Sequence, residues 1–222
     1  ALAHANKDLA PKIIATIASR FRGLWANADQ HEKLDLIARE QAASCFWPEG
    51  WEAVRETWKY DKSEIGSASR EKLKNLFELL RPNSLINRIR SAVHDSKNLI
   101  LGFDILEEDA DNDIKKSMAK SQEVVTKLGE DAAADEDVLF AVLPDLMDGN
   151  SNAWTFARAV GQSTKNPERI WDVLTKEFTK SPMNRSTAVG GFLSGLRKTN
   201  LELSHKMLDD ALRSSNLQAR FP

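Results

Sequence analysis

The sequence predicts an all-α protein in which antiparallel helical hairpins stack as an α-solenoid behind an N-terminal helical unit. Three observations carry that expectation. Apolar residues recur at three- and four-residue spacing along most of the chain, the alternation expected of strands is nearly absent, and two-helix blocks repeat in the C-terminal half. Asp148-Gly149 is the lone hairpin-turn dipeptide, and helical patterns flank it.

The first helix is read from Leu9, Ile13, Ile17, Phe21 and Leu24, a single apolar face, with Pro11 in its first turn, where a missing N–H costs nothing. A second carries Leu34, Ala38, Ala42 and Cys45 and stops at Pro48; a third runs from Pro48 to Tyr60 with Trp51, Val54 and Trp58 on one side. The polar stretch from Asp61 to Ser69, with Gly66 inside it, is the candidate boundary between an N-terminal unit at 1–65 and a helical-repeat region at 66–222. Ser67 or Ser69 is expected to cap a helix through Leu73, Leu76, Phe77 and Leu80, and Asn83 or Ser84 the next, through Leu85, Ile86, Ile89 and Val93. From His94 to Asp113 the pattern lapses into an apolar run and an acidic cluster, an expected irregular insertion. Six helices follow, at Ile114–Glu130, Asp135–Met147, Asn152–Gln162, Pro167–Thr179, Ser186–Lys198 and Leu201–Ser214, with Pro144 expected to kink or shorten the second.

Lining up these helices exposes a period. Leu128-Gly129 ends one helix and Val160-Gly161 ends another 32 positions later. The partner helices carry Val138, Leu139, Val142, Leu143 against Ile170, Trp171, Leu174, Thr175, and a third copy has Phe192 and Leu196 followed by Met207, Leu208, Ala211, Leu212. One hairpin cannot bury both its faces, so such blocks need neighbours to close a core. The pattern, clearest over 117–212, resembles the HEAT and armadillo class of repeats in spacing and apolar positions, without the full proline, aspartate and arginine pattern of a standard HEAT unit. Irregular tandem hairpins are the alternative. The string Trp154 to Thr164, the segment Gly190 to Leu196 and the terminal Phe221-Pro222 also look like helical regions of large bacterial multidomain proteins with an NTPase or effector module elsewhere.

Composition narrows the function classes. The 222 residues are 41% hydrophobic and 29% charged, as in ordinary globular chains, and 31 basic against 33 acidic residues leave a net charge of -2. No global field draws such a chain to nucleic acid or an anionic membrane. The lone Cys45 sits in an apolar run, which excludes an internal disulfide and points to a reducing, cytoplasmic setting. There is no apolar run of about 18 residues and no basic-then-apolar signal peptide. A first residue that is not methionine and an apolar tail at Leu217 and Phe221 read as a piece of a longer protein.

No residue set reads as catalytic, cofactor-binding or metal-ligating. Asp109, Asp111 and Asp113 imitate the opening of a calcium loop, but Ile114 stands where the turn needs glycine and Lys120 where the bidentate glutamate belongs, leaving a solvated acidic loop. Gly190, Gly191 and Gly195 lack the Gly-Lys-Ser/Thr ending of a phosphate loop; Gly191 and Gly195, with Ala157, Ala159 and Gly161 nearby in the repeat, are expected to let two helix backbones approach closely. His4, His31, His94 and His205 are far apart, and His94 beside Asp95 is explained as well by a helix C-terminus as by an oriented pair. Arg20, Arg22 and Trp25, or Arg81, Arg88 and Arg90, are basic-aromatic patches that read as solvated faces in a near-neutral chain. Of six tryptophans, Trp25, Trp47, Trp51 and Trp58 crowd the N-terminal unit; most are expected in the core, and an exposed one would be an interface anchor.

The expected function is therefore a protein-interaction or sensor scaffold that binds a peptide, a protein or another domain of the same polypeptide and performs no catalysis of its own. A nucleic-acid-binding helical array and an accessory domain of an enzyme encoded outside this segment are the alternatives.

Overall fold

Apolar spacing of three and four residues becomes helix throughout. The computed structural model describes residues 10–44, 46–94, 114–147, 151–180, 187–214 and 217. Among them are eleven α-helices, one short 3-10 helix at Ala28–Gln30 and no strand. The α-helices are α1 (Ala10–Trp25), α2 (His31–Ser44), α3 (Pro48–Asp61), α4 (Ser67–Leu80), α5 (Leu85–His94), α6 (Ile114–Ala134), α7 (Glu136–Met147), α8 (Ser151–Ser163), α9 (Pro167–Lys180), α10 (Thr187–Thr199) and α11 (Leu201–Arg213). Two compact units result, Ala1–Pro82 and Asn83–Pro222. The polar stretch at 61–69 forms the turn from α3 into α4 and so lies within the first unit.

In the first unit α1 packs on α3, α3 on α4 and α2 on α4. The buried face of α1 is Ile14, Ala18, Phe21 and Trp25, one residue round from the face read off the sequence: Ile13 is 39% exposed, and Ile17 and Leu24 are only half-buried. The indole decides the rotation, because burying Trp25 removes more apolar surface than any alternative on this helix. Trp25 stacks on His31 at 4.0 Å, and the His31 Nε2 donates to the Trp25 carbonyl at 2.7 Å, which ties α2 to the end of α1. Along α2 the buried line is His31, Leu34 and Ala38; Ala42, expected on it, is exposed. Trp51, Val54 and Trp58 are buried on α3, and Trp51 meets Phe77 of α4 at 4.4 Å. Leu73, Leu76, Phe77 and Leu80 all enter this core. Gly66, rather than a serine, is the N-cap of α4, with no side-chain cap hydrogen bond.

In the second unit the Asn87 N–H donates to the Ser84 hydroxyl at 3.2 Å, capping α5. The six later helices fall within a few residues of their sequence-predicted bounds, α6 running four residues further, to Ala134. Pro144 does not end α7, which continues to Met147; Pro144 is exposed, so its ring stands in solvent rather than among neighbours. The apolar run at 99–106, the acidic cluster at 107–113, Cys45, His4 and Asp95 lie outside the described residues.

The Trp51–Phe77 contact is expected to govern the first unit. Phe77→Ala should lower its unfolding free energy by about 3–5 kcal/mol, read from the urea midpoint by tryptophan fluorescence; a loss under about 1 kcal/mol would mean this contact is not part of a close-packed core.

Candidate functional site

Within the second unit four pairs of alternate helices meet: α5 touches α7, α7 touches α9, α6 touches α8 and α8 touches α10. Glycine sets how closely the last two pairs approach. A Cβ on Gly129 of α6 would lie 2.6 Å from the Phe156 carbonyl oxygen and 2.7 Å from the Ala159 Cβ, both on α8. On α10, a Cβ on Gly191 would meet the carbonyl of Trp154, and one on Gly195 the carbonyl of Arg158. Gly161 of α8 faces back onto α10, where a Cβ would clash with the Phe192 carbonyl and sit 3.0 Å from the Leu196 nitrogen. Residues four apart on α10 thus match residues four apart on α8 in the same order, so these two helices run in the same direction. Gly191 and Gly195 serve the close backbone packing expected of them, whereas Gly190 faces open space.

Polar ties fix the neighbouring helices. Glu136, in the first turn of α7, accepts from the Asn166 amide at 2.6 Å and pairs with Arg169 of α9 at 2.6 Å. Arg90 of α5 pairs with Asp145 of α7 at 2.9 Å, and the buried Asn152 of α8 donates to the Ala92 carbonyl of α5 at 2.9 Å.

Of the arginines in the two basic patches, Arg22, Arg81 and Arg90 are held in ion pairs. Arg22 makes a bidentate pair with Asp61, its Nε lying 2.7 Å and 3.0 Å from the two carboxylate oxygens, while Trp25 is buried. Those hydrogen bonds raise the Arg22 pKa above its ordinary value, and the same cause, hydrogen bonding to Asp131, raises that of Lys127. Arg81 pairs with Glu78 at 3.2 Å.

Two surface features remain. On α8, Trp154 is 37% exposed, alone among the described tryptophans in being so, and the Arg158 guanidinium lies over its ring at 5.3 Å. Tryptophan and arginine are the side chains most enriched where binding energy concentrates. In the first unit, a groove of about 330 Å³ has Trp25, His31 and Leu76 at its base and Asp35, Arg39 and Lys72 around it. Arg39 is already held by Asp35 at 2.7 Å, and none of the groove residues is a serine, threonine or cysteine that a base could activate. Among the described residues no group of histidine, cysteine, aspartate and glutamate side chains is arranged to hold a metal ion, and no helix is long and apolar enough to cross a membrane.

Sequence reasoning missed the Trp154–Arg158 pair, although its spacing of four on a helix was legible. It also placed Leu208 and Leu212 on one core face with Met207 and Ala211; Met207 and Ala211 are buried, but Leu208 is 37% and Leu212 45% exposed. No protein-family model matches the chain, and no match was found among the curated proteins or the solved structures.

The glycines separate into two classes with opposite expectations. Gly161→Ala and Gly195→Ala should each destabilise the second unit by about 1–3 kcal/mol, because a backbone carbonyl cannot yield as a flexible side chain can. Gly190→Ala should stabilise it by about 0.5–1 kcal/mol through helix propensity alone. Thermal unfolding of the three variants checks the contrast.

Proposed function

We propose that the chain is a HEAT-like α-solenoid scaffold that binds a peptide, a protein or another domain of its own polypeptide. The observation carrying this reading is the side-by-side contact of α6, α8 and α10 through glycine, with α8 and α10 running in the same direction. Parallel contact between alternate helices is what stacked hairpins produce, each block contributing one helix to each of two layers. Contact between α7 and α9, anchored at Glu136, supplies the corresponding element of the second layer. Residence in the cytoplasm and attachment to a larger sensor or effector protein belong to the same proposal.

The Trp154–Arg158 pair is the anchor assigned to this scaffold. A preformed aromatic-guanidinium pair suits a peptide bearing an aromatic or acidic residue, because the guanidinium edge can donate to a carboxylate while its face stays on the indole.

Two measurements test the proposal. Gly161→Ala should raise amide hydrogen exchange in α8 and α10 together and leave the first unit unchanged, since nearest-neighbour stacking couples adjacent blocks. Peptides selected from a random display library against the whole chain should lose about tenfold to a hundredfold in affinity on Trp154→Ala, with thermal stability preserved. Turnover of a substrate by the chain, abolished by a single substitution, would overturn the scaffold reading.

A further inference from the structure

Helix α11 places Ser204, Met207 and Ala211 in the core and leaves a line of apolar residues outside it. Leu201 is 49%, Leu208 37% and Leu212 45% exposed, and His205 is exposed between them. At 100° per residue these four positions span an arc of only about 60°. Single exposed leucines are ordinary, but a continuous stripe at four-three-four spacing is the seam of a helix pair. In the repeat register of α7 and α9, Leu139, Leu143 and Trp171 are buried at the matching positions and Thr175, which matches Leu212, is half-buried. The stripe itself is a property of α11 alone.

Beside the stripe runs a second exposed row with the same spacing: Glu202, Lys206, Asp209 and Arg213, alternating in sign. This row selects the occupant. Against a parallel copy of the same helix, the two rows would lie on opposite edges of the seam and never face one another. Against an antiparallel copy, one two-fold axis midway between positions 207 and 208 brings Glu202 level with Arg213 of the second copy and Lys206 level with its Asp209. The symmetry repeats both pairs, so four opposite-charge pairs form at once. With the axis there, Leu208 lies beside its own copy, and Leu212 falls between Leu201 and His205 of the other helix, a knob set into a hole. An isologous two-fold contact requires this self-complementarity of one surface patch.

We infer that the protein self-associates as a two-fold dimer through antiparallel pairing of α11, with the leucine stripe at the seam and the alternating charges along its edge. One helix pair is a small interface, so the dimer forms reversibly, at micromolar concentration. The inference does not depend on the scaffold function: a monomeric chain that binds peptides through Trp154 defeats the dimer alone, and a dimer that binds no peptide defeats the scaffold alone.

Sedimentation equilibrium on the whole chain, from about 1 to about 500 µM, tests it. The expected result is a monomer–dimer equilibrium that Leu208→Glu abolishes while the circular dichroism spectrum, and the melting temperature at about 1 µM where the parent is monomeric, stay as in the parent, since the residue is solvent-exposed in the monomer. Lys206→Glu and Asp209→Lys should each weaken the dimer by several-fold to about tenfold, each removing two pairs and adding repulsion. Their combination should restore it to near the parental constant. A chain that stays monomeric across the range leaves the stripe to another protein and overturns the inference, as does a dimer indifferent to Leu208→Glu. Single reversals that weaken the dimer without rescue in the double variant overturn the antiparallel register. Because the charge variants alter only exposed positions, the test stands even where Leu208→Glu lowers solubility.

Discussion

The backbone-to-backbone approach of α8 to its two neighbours is the constraint on which the second unit depends. Three of the four glycines involved lie opposite a carbonyl oxygen of the facing helix and Gly129 opposite both a carbonyl and a methyl group, so that no side chain, however small, fits at those points. Each interior glycine costs about 1 kcal/mol of helix propensity relative to alanine. That cost is offset by what close approach permits: dispersion contacts along the facing backbones, and Cα–H···O contacts of the kind that recur at tight helix interfaces. It also sets register. A helix seated on Trp154 and Arg158 through residues four apart cannot slide by one or two positions without driving a side chain into a carbonyl, and the buried Phe156, Val160, Phe192 and Leu196 inherit their depth from that seating.

The first unit solves the same packing problem with large side chains. Trp25, Trp47, Trp51 and Trp58 are all buried, and their four indole N–H groups find no hydrogen-bond acceptor among the described residues. Each such group costs about 1–3 kcal/mol. An indole that buries some 150–250 Å² returns about 4–6 kcal/mol as an upper bound, so burial wins even with the donor unsatisfied. Bulk carries a different cost, since it leaves little freedom nearby: the Trp47 ring occupies the space where a side chain at Gly50 would go. Glycine therefore appears in both units where something approaches closely, a ring in one and a helix backbone in the other.

How much of this could be read from the sequence follows from which forces are local. Helix positions were legible, since caps, prolines and apolar spacing act within a few residues: α7 to α11 lie close to where the pattern puts them. The pairing role of Gly191 and Gly195 was legible too, because small residues four apart have few other uses on a helix. What failed was rotation about the helix axis. The α1 pattern offered two overlapping stripes, Ile13–Ile17–Leu24 and Ile14–Ala18–Trp25, sharing Phe21, and only tertiary packing of Trp25 against His31 chooses between them. Likewise Leu208 and Leu212 have the spacing of a core face, and nothing within α11 says that no described neighbour covers them. The Trp154–Arg158 pair escaped notice for a related reason: exposure of one tryptophan among six is decided by where other helices end.

The uncovered edge of α11 connects the packing logic to function. Its inward residues are small, Ser204 and Ala211 flanking Met207, and the Ser204 hydroxyl donates to the Leu193 carbonyl of α10 at 3.2 Å, so the helix is held by modest contacts. A helix of 13 residues is marginal on its own in water, and most of its stability must come from the surface it buries. With three leucines outside the core, α11 buries less apolar area than α9, whose inward face holds Ile170, Trp171, Leu174 and Phe178. Whatever covers the stripe therefore acts on the least anchored of these two helices, and stabilises it as it binds. Binding at this edge then adds to the stability of a helix already seated on α10, and each contact it makes there lowers the cost of presenting the stripe.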